Sequence, residues 1–585
     1  MKPVVVNRRG RALASLTATL GLALAGTAIG TGPAGSAAPA GDCATPAPVS
    51  GVAQGDLVHG LTVSSGTTPE PFSGTVLGVL DDGIAPDVDM LMVRLSSDEI
   101  NRVGGIWQGM SGSPVYDADG DLLGAVAYGL SWGPSPVAGV TPFEDMDDYL
   151  AAAPAAKRVA VDSATARMIA RSTDVTRAQA ADGFSQLPMP MGVSGVSDRH
   201  LAKAEKRVTK HEWLPRSTYR MGRAAAVGAP TAAGPDTVVA GGNLAASLSY
   251  GDVTQAGVGT ATSVCDGRVV GFGHPMAFLG TTSMSLHPAD AIYVQEDSLG
   301  APFKVANLGA PAGTISDDHL TGITGALGSL PATSDVSSSV SYHARSRDGA
   351  SHVTVPQAMA STVFYQLVAN HDRVVDGIIP GSELLSWQIT GHDRDGSAFD
   401  LSVTDRFVSN YDITFDSAFE LADFVYSLST LPGVTIDDVT MDSEVVDDNS
   451  TWQVARLEQK VGGSWVKVGK GSPVVAEAGS TPRLRAVLKS DSDTRTVPVQ
   501  VKLPAKAAGS QGRLQVIGGN DVWSRHAYPR SVAEAEKYAD TLVRNDQVQV
   551  ELFIFSEKRG TSRSATTDPL DKVVTGESHV KVIVR

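Results

Sequence analysis

Short apolar runs separated by turn signals constrain this chain more than any other feature. Gly74-Thr75-Val76-Leu77-Gly78-Val79-Leu80 leads through Asp81-Asp82-Gly83 to Met90-Leu91-Met92-Val93-Arg94-Leu95. Leu61-Thr62-Val63 comes before them. Leu122-Leu123-Gly124-Ala125-Val126-Ala127-Tyr128 comes after, beyond the turn Asp119-Gly120. Runs of this length, bounded by Gly and Asp, read as strands, so residues 41–155 read as all-β. A short helix is expected to begin near Met146 and run toward Ala153.

The rest of the 585 residues divides by texture. The length prior is about three to four domains. Residues 156–235 are mixed: 163–181 is Ala/Arg-rich and helical, Pro188-Met189-Pro190-Met191 is extended, and 223–234 is a linker rich in Ala, Gly and Pro. From 236 to about 405 the β pattern returns, with Gly257-Val258-Gly259-Thr260-Ala261 and Arg268-Val269-Val270-Gly271-Phe272 as strands. Residues 406–585 read as an α+β accessory module with a β-sandwich core. Its helices are expected over 417–429 and 531–544. Its strands are expected over 454–468, 483–488, 497–503 and 548–555.

The first forty residues stand apart. Lys2, Arg8, Arg9 and Arg11 form a basic start, 12–29 is apolar, and Ala38-Pro39-Ala40 is a small-x-small cleavage site. This is the pattern of a secretory signal peptide over 1–40, with Arg8-Arg9 raising a twin-arginine variant. No later run approaches the roughly 18 apolar residues of a membrane span. The expectation is an exported, soluble protein, secreted or associated with the cell envelope, with no integral membrane segment.

The formal net charge is −16, and loss of the basic leader makes it more negative still. An acidic surface argues against nucleic acid and anionic membrane as partners. Two cysteines are present, Cys43 and Cys265. In an oxidising compartment the pair predicts one disulfide. Two cysteines cannot build a Cys-rich zinc site, and the chain carries no HExxH, no Walker loop and no well-placed GxGxxG. No metal or cofactor is expected.

Between the apolar runs lies Gly109-Met110-Ser111-Gly112-Ser113-Pro114. A serine flanked by glycines and closed by proline has the shape of a nucleophile loop. Gly109 permits a tight turn in which the N–H groups of Gly109 and Ser111 converge where a tetrahedral intermediate places its oxyanion. A plain Gly/Ser/Pro turn between strands has the same letters.

A nucleophilic serine needs a base, and the base needs an orienting group. His211, His319, His371 and His392 sit in polar contexts and read as exposed. His274 ends an apolar strand between Gly273 and Pro275, which suits a ring projecting at a strand–loop corner. His59 is the rival: His59, Asp89 and Ser111 run in His–Asp–Ser order, but too close together for a two-barrel protease.

Gly104-Gly105-Ile106-Trp107-Gln108-Gly109-Met110-Ser111-Gly112-Ser113-Pro114-Val115, followed by Gly124-Ala125-Val126, resembles the SpoIVB peptidase family of bacterial serine proteases. Gly257-Val258-Gly259-Thr260-Ala261-Thr262, followed by Gly271-Phe272-Gly273-His274-Pro275, resembles that family's histidine motif. The resemblance covers 41–155 and 236–300, extends loosely to 400, and leaves the last third outside. It implies Ser111 as nucleophile, His274 as base, and two chymotrypsin-like β-barrel halves. The serine motif precedes the histidine motif here, the reverse of the family's order, so the halves are permuted. The fold expected is therefore mainly β: permuted barrel halves plus the C-terminal module. For the acid, Asp89 precedes a suitable strand and Asp98 lies nearer the family's position. A Ser–His dyad is the alternative. Met110, where trypsin-like enzymes have an aspartate, cannot pair with a newly cut N-terminus.

Two functional readings follow. One is a secreted serine endopeptidase acting on protein or peptide substrates. The other is a non-catalytic, protein-binding module of the cell envelope on a protease-like fold.

Overall fold

The computed structural model describes residues 43–131, 133–147, 158–297, 301–491, 493–522, 528–555 and 560–585. The expected signal peptide, and the stretch from 148 to 153 expected to continue a helix, lie outside them. Among the described residues no helix is long and apolar enough to cross a membrane.

The fold is mainly β, with two closed six-stranded antiparallel barrels. The first is built from β1 (Leu57–Thr62), β2 (Glu70–Ala85), β3 (Val88–Ser96), β4 (Pro114–Tyr116), β5 (Leu122–Leu130) and β6 (Val137–Pro142). Its strands pair in the order β1-β2-β3-β6-β5-β4, and β4 closes back onto β1. Closure removes both sheet edges. β1 alternates in burial, with Val58, Gly60 and Thr62 inward. Gly60 is small of necessity, because a Cβ there would lie 2.3 Å from the Pro114 carbonyl and the Phe72 ring. After β3, helix α1 (Asp98–Val103) is capped by the Ser97 side chain and ends on Gly104 at φ 82°. The chain then enters the serine loop.

β5 breaks the alternation: all nine of its residues are buried. One face fills the first barrel, and the other meets the second. A continuous apolar run is what burial on both faces demands. Helix α2 (Phe143–Asp147) follows the barrel, then β7 (Arg158–Val159), α3 (Ser163–Ser172), α4 (Arg177–Ala181) and β8 (Phe184–Gln186). The helical reading of 163–181 is thus two helices, each N-capped, by Asp162 and by Thr176. β8 extends the first sheet by pairing with β5.

β9 (Met191–Val193), α5 (Asp198–Glu205) and β10 (Thr218–Arg220) lead to the second barrel. It comprises β11 (Asn243–Gly251), β12 (Gln255–Cys265), β13 (Arg268–Gly271), β14 (Gly280–Gln295), β16 (Gly313–His319) and β17 (Gly322–Leu327), with β15 (Phe303–Leu308) paired to β14. The closed order is β12-β13-β17-β16-β14-β11. The sheet continues from β11 through β19 (Arg345–Val353), β18 (Ser334–Tyr342), β22 (Thr435–Val446), β20 (Gly381–His392) and β21 (Ala398–Ser409). Helices α6 (Met359–Val374) and α7 (Asp416–Ser429) pack against it in one apolar core with Phe364, Leu367, Phe415 and Leu428.

The expected domain boundary between 405 and 406 falls inside β21, so it is misplaced. Strand alternation carries on through that point, and the composition change read there belongs to the arrival of α7. The C-terminal module begins with the strand Trp452–Val461. It is a sandwich of two five-stranded sheets closed over Leu457, Leu488, Val516, Leu552 and Val580. The helix Val532–Thr541 is shorter than the expected 531–544 and packs into the core of the large sheet through Val532 and Ala535, not into the sandwich. The disulfide joins Cys43 to Cys265, tying the segment before the first barrel to the end of β12.

Candidate active site

The serine loop lies where β5 of one barrel meets β12 and β13 of the other. Gly109 and Gly112 adopt φ of 96° and 95°, the left-handed region that glycine enters without strain. Both also lack room for a side chain. A Cβ on Gly112 would sit 1.9 Å from the Thr260 carbonyl, and one on Gly109 would sit 2.9 Å from the Lys304 Cβ. The loop is held from both sides. Gly112 N–H donates to Val126 of β5 at 2.8 Å, and Thr260 N–H of β12 donates to the Ser111 carbonyl at 2.8 Å. The Thr260 hydroxyl donates to the Gly109 carbonyl at 3.1 Å, and the Thr262 hydroxyl to the Gly112 carbonyl at 2.8 Å. Within the loop, Met110 N–H donates to Trp107 and Ser113 N–H to Met110. The N–H groups of Gly109 and Ser111 take no part in these bonds, which suits the oxyanion role expected of them.

Phe272 and Gly273 both take φ of 69°, so the chain makes a left-handed corner before His274. A phenylalanine there is strained, at a cost of about 1–3 kcal/mol. Its buried ring is held against Gly259, where a Cβ would come within 2.6 Å of it. The Thr141 hydroxyl of β6 fixes the Gly273 carbonyl at 2.6 Å. Beyond the histidine, the buried Asp318 carboxylate accepts the N–H groups of Met276, Ala277 and Leu279. Burial holds that carboxyl above its usual pKa, against the pull of those N–H donors.

The corner delivers His274 Nε2 to 2.8 Å from Ser111 Oγ. His274 Nδ1 lies 2.8 Å from the Pro275 carbonyl. A carbonyl only accepts, so the Nδ1 nitrogen carries the ring proton and Nε2 is free to accept from the serine hydroxyl. Ser111 is 1% exposed and His274 is 0% exposed. Complete burial lowers the imidazole pKa to about 4, with the carbonyl bond opposing, so the ring is neutral at pH 7.

Neither expected acid reaches this histidine. Asp89 at the start of β3 accepts the Asp82 N–H of β2 at 2.9 Å. Asp98 lies in the first turn of α1, where a carboxylate suits the positive end of the helix dipole. Where an acid would face Nδ1 the structure has Gln186, whose Nε2 lies 2.8 Å from Nδ1 and donates to the Pro275 carbonyl at 2.9 Å. His59 stacks on Tyr116 instead of approaching the serine. Ser113 donates to Thr62 at 2.9 Å. His371 corrects an expectation of exposure: it is fully buried on α6, 3.0 Å from Glu383, which also accepts from Ser417 and Ser443. A histidine with polar neighbours in sequence can still face inward from a helix.

Sequence reasoning missed Gln186, Thr260 and Thr262 as site residues, and also Lys304. The Lys304 stem lies under Gly109, its N–H donates to the Gln108 carbonyl at 2.9 Å, and its Nζ donates to Asn243 at 2.8 Å. Burial lowers its pKa to about 7. Thr260 and Thr262 were legible as part of a motif but not as clamps on a loop in the other barrel. Comparison with family models, with curated proteins and with solved structures finds no match for this chain.

Proposed function

We propose that the chain is a secreted serine endopeptidase of SpoIVB-peptidase type, working through Ser111 and His274. The observation that carries this reading is the 2.8 Å contact between His274 Nε2 and Ser111 Oγ, made across two barrels by residues far apart in sequence. In the reaction Ser111 Oγ attacks the peptide carbonyl while His274 Nε2 takes its proton. The developing oxyanion accepts from the N–H groups of Gly109 and Ser111. The imidazolium returns its proton to the leaving amine, and water then hydrolyses the acyl-enzyme by the same steps. The disulfide is compatible with an exported protein.

The burial of both residues favours a second reading, a non-catalytic binding module on the same barrels. Peptide hydrolysis requires the segments around Ser111 to open. A fluorophosphonate probe separates the readings. The peptidase is labelled, and the Ser111→Ala protein is not. An intact, folded protein that stays unlabelled at long exposure rejects the peptidase.

A further inference from the structure

We propose that Gln186 is a positioning residue that fills the seat of the missing triad acid with a neutral amide, so that His274 works as an uncharged-partner base. This deepens the peptidase reading and rests on it.

Three atoms meet beside the ring: His274 Nδ1, the Pro275 carbonyl oxygen and Gln186 Nε2, each 2.8–2.9 Å from the other two. The carbonyl accepts from both nitrogens. The Nδ1 proton is thereby fixed and Nε2 stays bare toward Ser111, which is the tautomer a general base needs. Gln186 ends β8, which is pinned along β5 by the pairing of Tyr128 with Gln186. The next residue, Leu187, donates its N–H to the Ala127 carbonyl at 3.0 Å. The amide is thus carried on the same strand pair that supports the serine loop through Val126.

Among the described residues no charged group contacts the ring. The nearby ones are directed elsewhere: Asp318 of β16 to the N–H groups of Met276, Ala277 and Leu279, and Lys304 of β15 to Asn243. An imidazolium formed during acylation therefore has the Pro275 carbonyl to accept its Nδ1 proton and no carboxylate, and Gln186 acts on it only by holding that carbonyl in place. Such a base is weak but stays deprotonated in mild acid.

Gln186→Glu tests this, being nearly isosteric and placing a carboxylate oxygen against Nδ1. The Glu carboxylate raises the basicity of His274, so the acid limb of fluorophosphonate acylation moves up by about one to three pH units. The two pH profiles cross: the variant is faster than the parent near neutrality and slower below pH about 5. Gln186→Ala lowers the rate without moving that limb upward. Nitrogen-15 imidazole spectra, with the His274 signals assigned by their loss in His274→Ala, read the same thing without any acylation. The parent shows a protonated Nδ1 at pH 7 and titrates in the acid range, and Gln186→Glu titrates higher. An unshifted His274 titration in folded Gln186→Glu, or a protonated Nε2 in the parent, overturns the role of Gln186. A protein that titrates as expected but never acylates leaves Gln186 in place and rejects the peptidase.

Discussion

Thr260 grips the serine loop twice, donating its N–H to the carbonyl of Ser111 at 2.8 Å and its hydroxyl to the carbonyl of Gly109 at 3.1 Å. The loop that carries Ser111 in one barrel is thus set by a strand of the other. The same strand, β12, leads through a hairpin to the corner that presents His274. On the proposed reading the order of the two motifs does not matter for this reason: each barrel presents its residue at the shared face, whichever comes first in the chain.

The clamp predicts a graded response at two positions. Thr260→Val keeps the shape and the N–H bond but loses the hydroxyl bond to Gly109. Stability should fall by about 1 kcal/mol and acylation by more than that loss accounts for, because the loop carries the oxyanion donors. Gly112→Ala should fare far worse, since its Cβ would meet the Thr260 carbonyl at 1.9 Å. Denaturant midpoints together with probe-labelling rates check both. A fully active Gly112→Ala protein would show that the loop is not held as described.

On the peptidase reading Ser111 and His274 act as one unit, so their losses should not add. Each alanine variant should lose at least about 10^4-fold in acylation rate, and the double variant should be hardly worse than either. Ser113→Ala should cost about 1 kcal/mol of stability through its lost bond to Thr62 and leave the chemistry largely intact. His59→Ala, at a ring that stacks on Tyr116, should leave the labelling rate nearly unchanged. Single-turnover labelling rates compare all five variants, and a denaturant midpoint reads the stability of Ser113→Ala.

The parts of this site legible in sequence were those whose chemistry is local. Glycine on either side of Ser111, and glycine and proline around His274, mark backbone that turns sharply, and turning is a property of the residues themselves. Strands were legible in the same local way over the apolar runs of the first barrel and at β12 and β13 of the second, while β14, β16 and β17 gave no such signal. Gln186 carried no signal. Its role depends on β8 joining the edge of the first sheet and reaching a histidine 88 residues away. The acid was misjudged because Asp89 was chosen for the strand it precedes and Asp98 for its place relative to the family's acid. Neither a following strand nor a place in the chain says which face of a closed barrel a carboxylate occupies. The boundary expected at 405 failed similarly, since β20 and β21 pair without interruption across it.

The disulfide should matter to stability more than to chemistry. Cys43 and Cys265 close a loop of 222 residues, for which the chain-entropy estimate is about 5 kcal/mol, an upper figure in practice. Thiol labelling of denatured, unreduced protein should find no free cysteine. Cys43→Ser with Cys265→Ser should lower the denaturant midpoint while probe labelling of the folded fraction persists. Loss of labelling at unchanged stability would place the bridge in the site instead.

Stability should peak near pH 6.5 and fall on both sides of it, and the sign follows from three histidines. Burial lowers the pKa of His274 and of His287 to about 4 each, with a carbonyl bond opposing in both cases. Unfolded, each would titrate near 6.5. Between those values the unfolded chain holds more protons, so each histidine destabilises the fold as pH falls from 6.5 toward 4, by a few kcal/mol at most. His200 has the opposite sign. Burial would lower its pKa, but Asp372 at 2.7 Å and Asp412 at 3.5 Å outweigh that and raise it to about 9. Its contribution is complete below pH 6.5 and is lost as pH rises through 9. His274→Phe removes one acid-labile group and should flatten the acid side of the curve. His200→Phe leaves Asp412 with Lys203 and the Thr414 N–H and should lower stability at pH 6 more than at pH 10. Urea unfolding across pH 4 to 10 measures all three proteins. A parent curve that stays flat from 6.5 down to 4 would mean that His274 is not buried neutral in the folded protein, and the base assignment would fall with it.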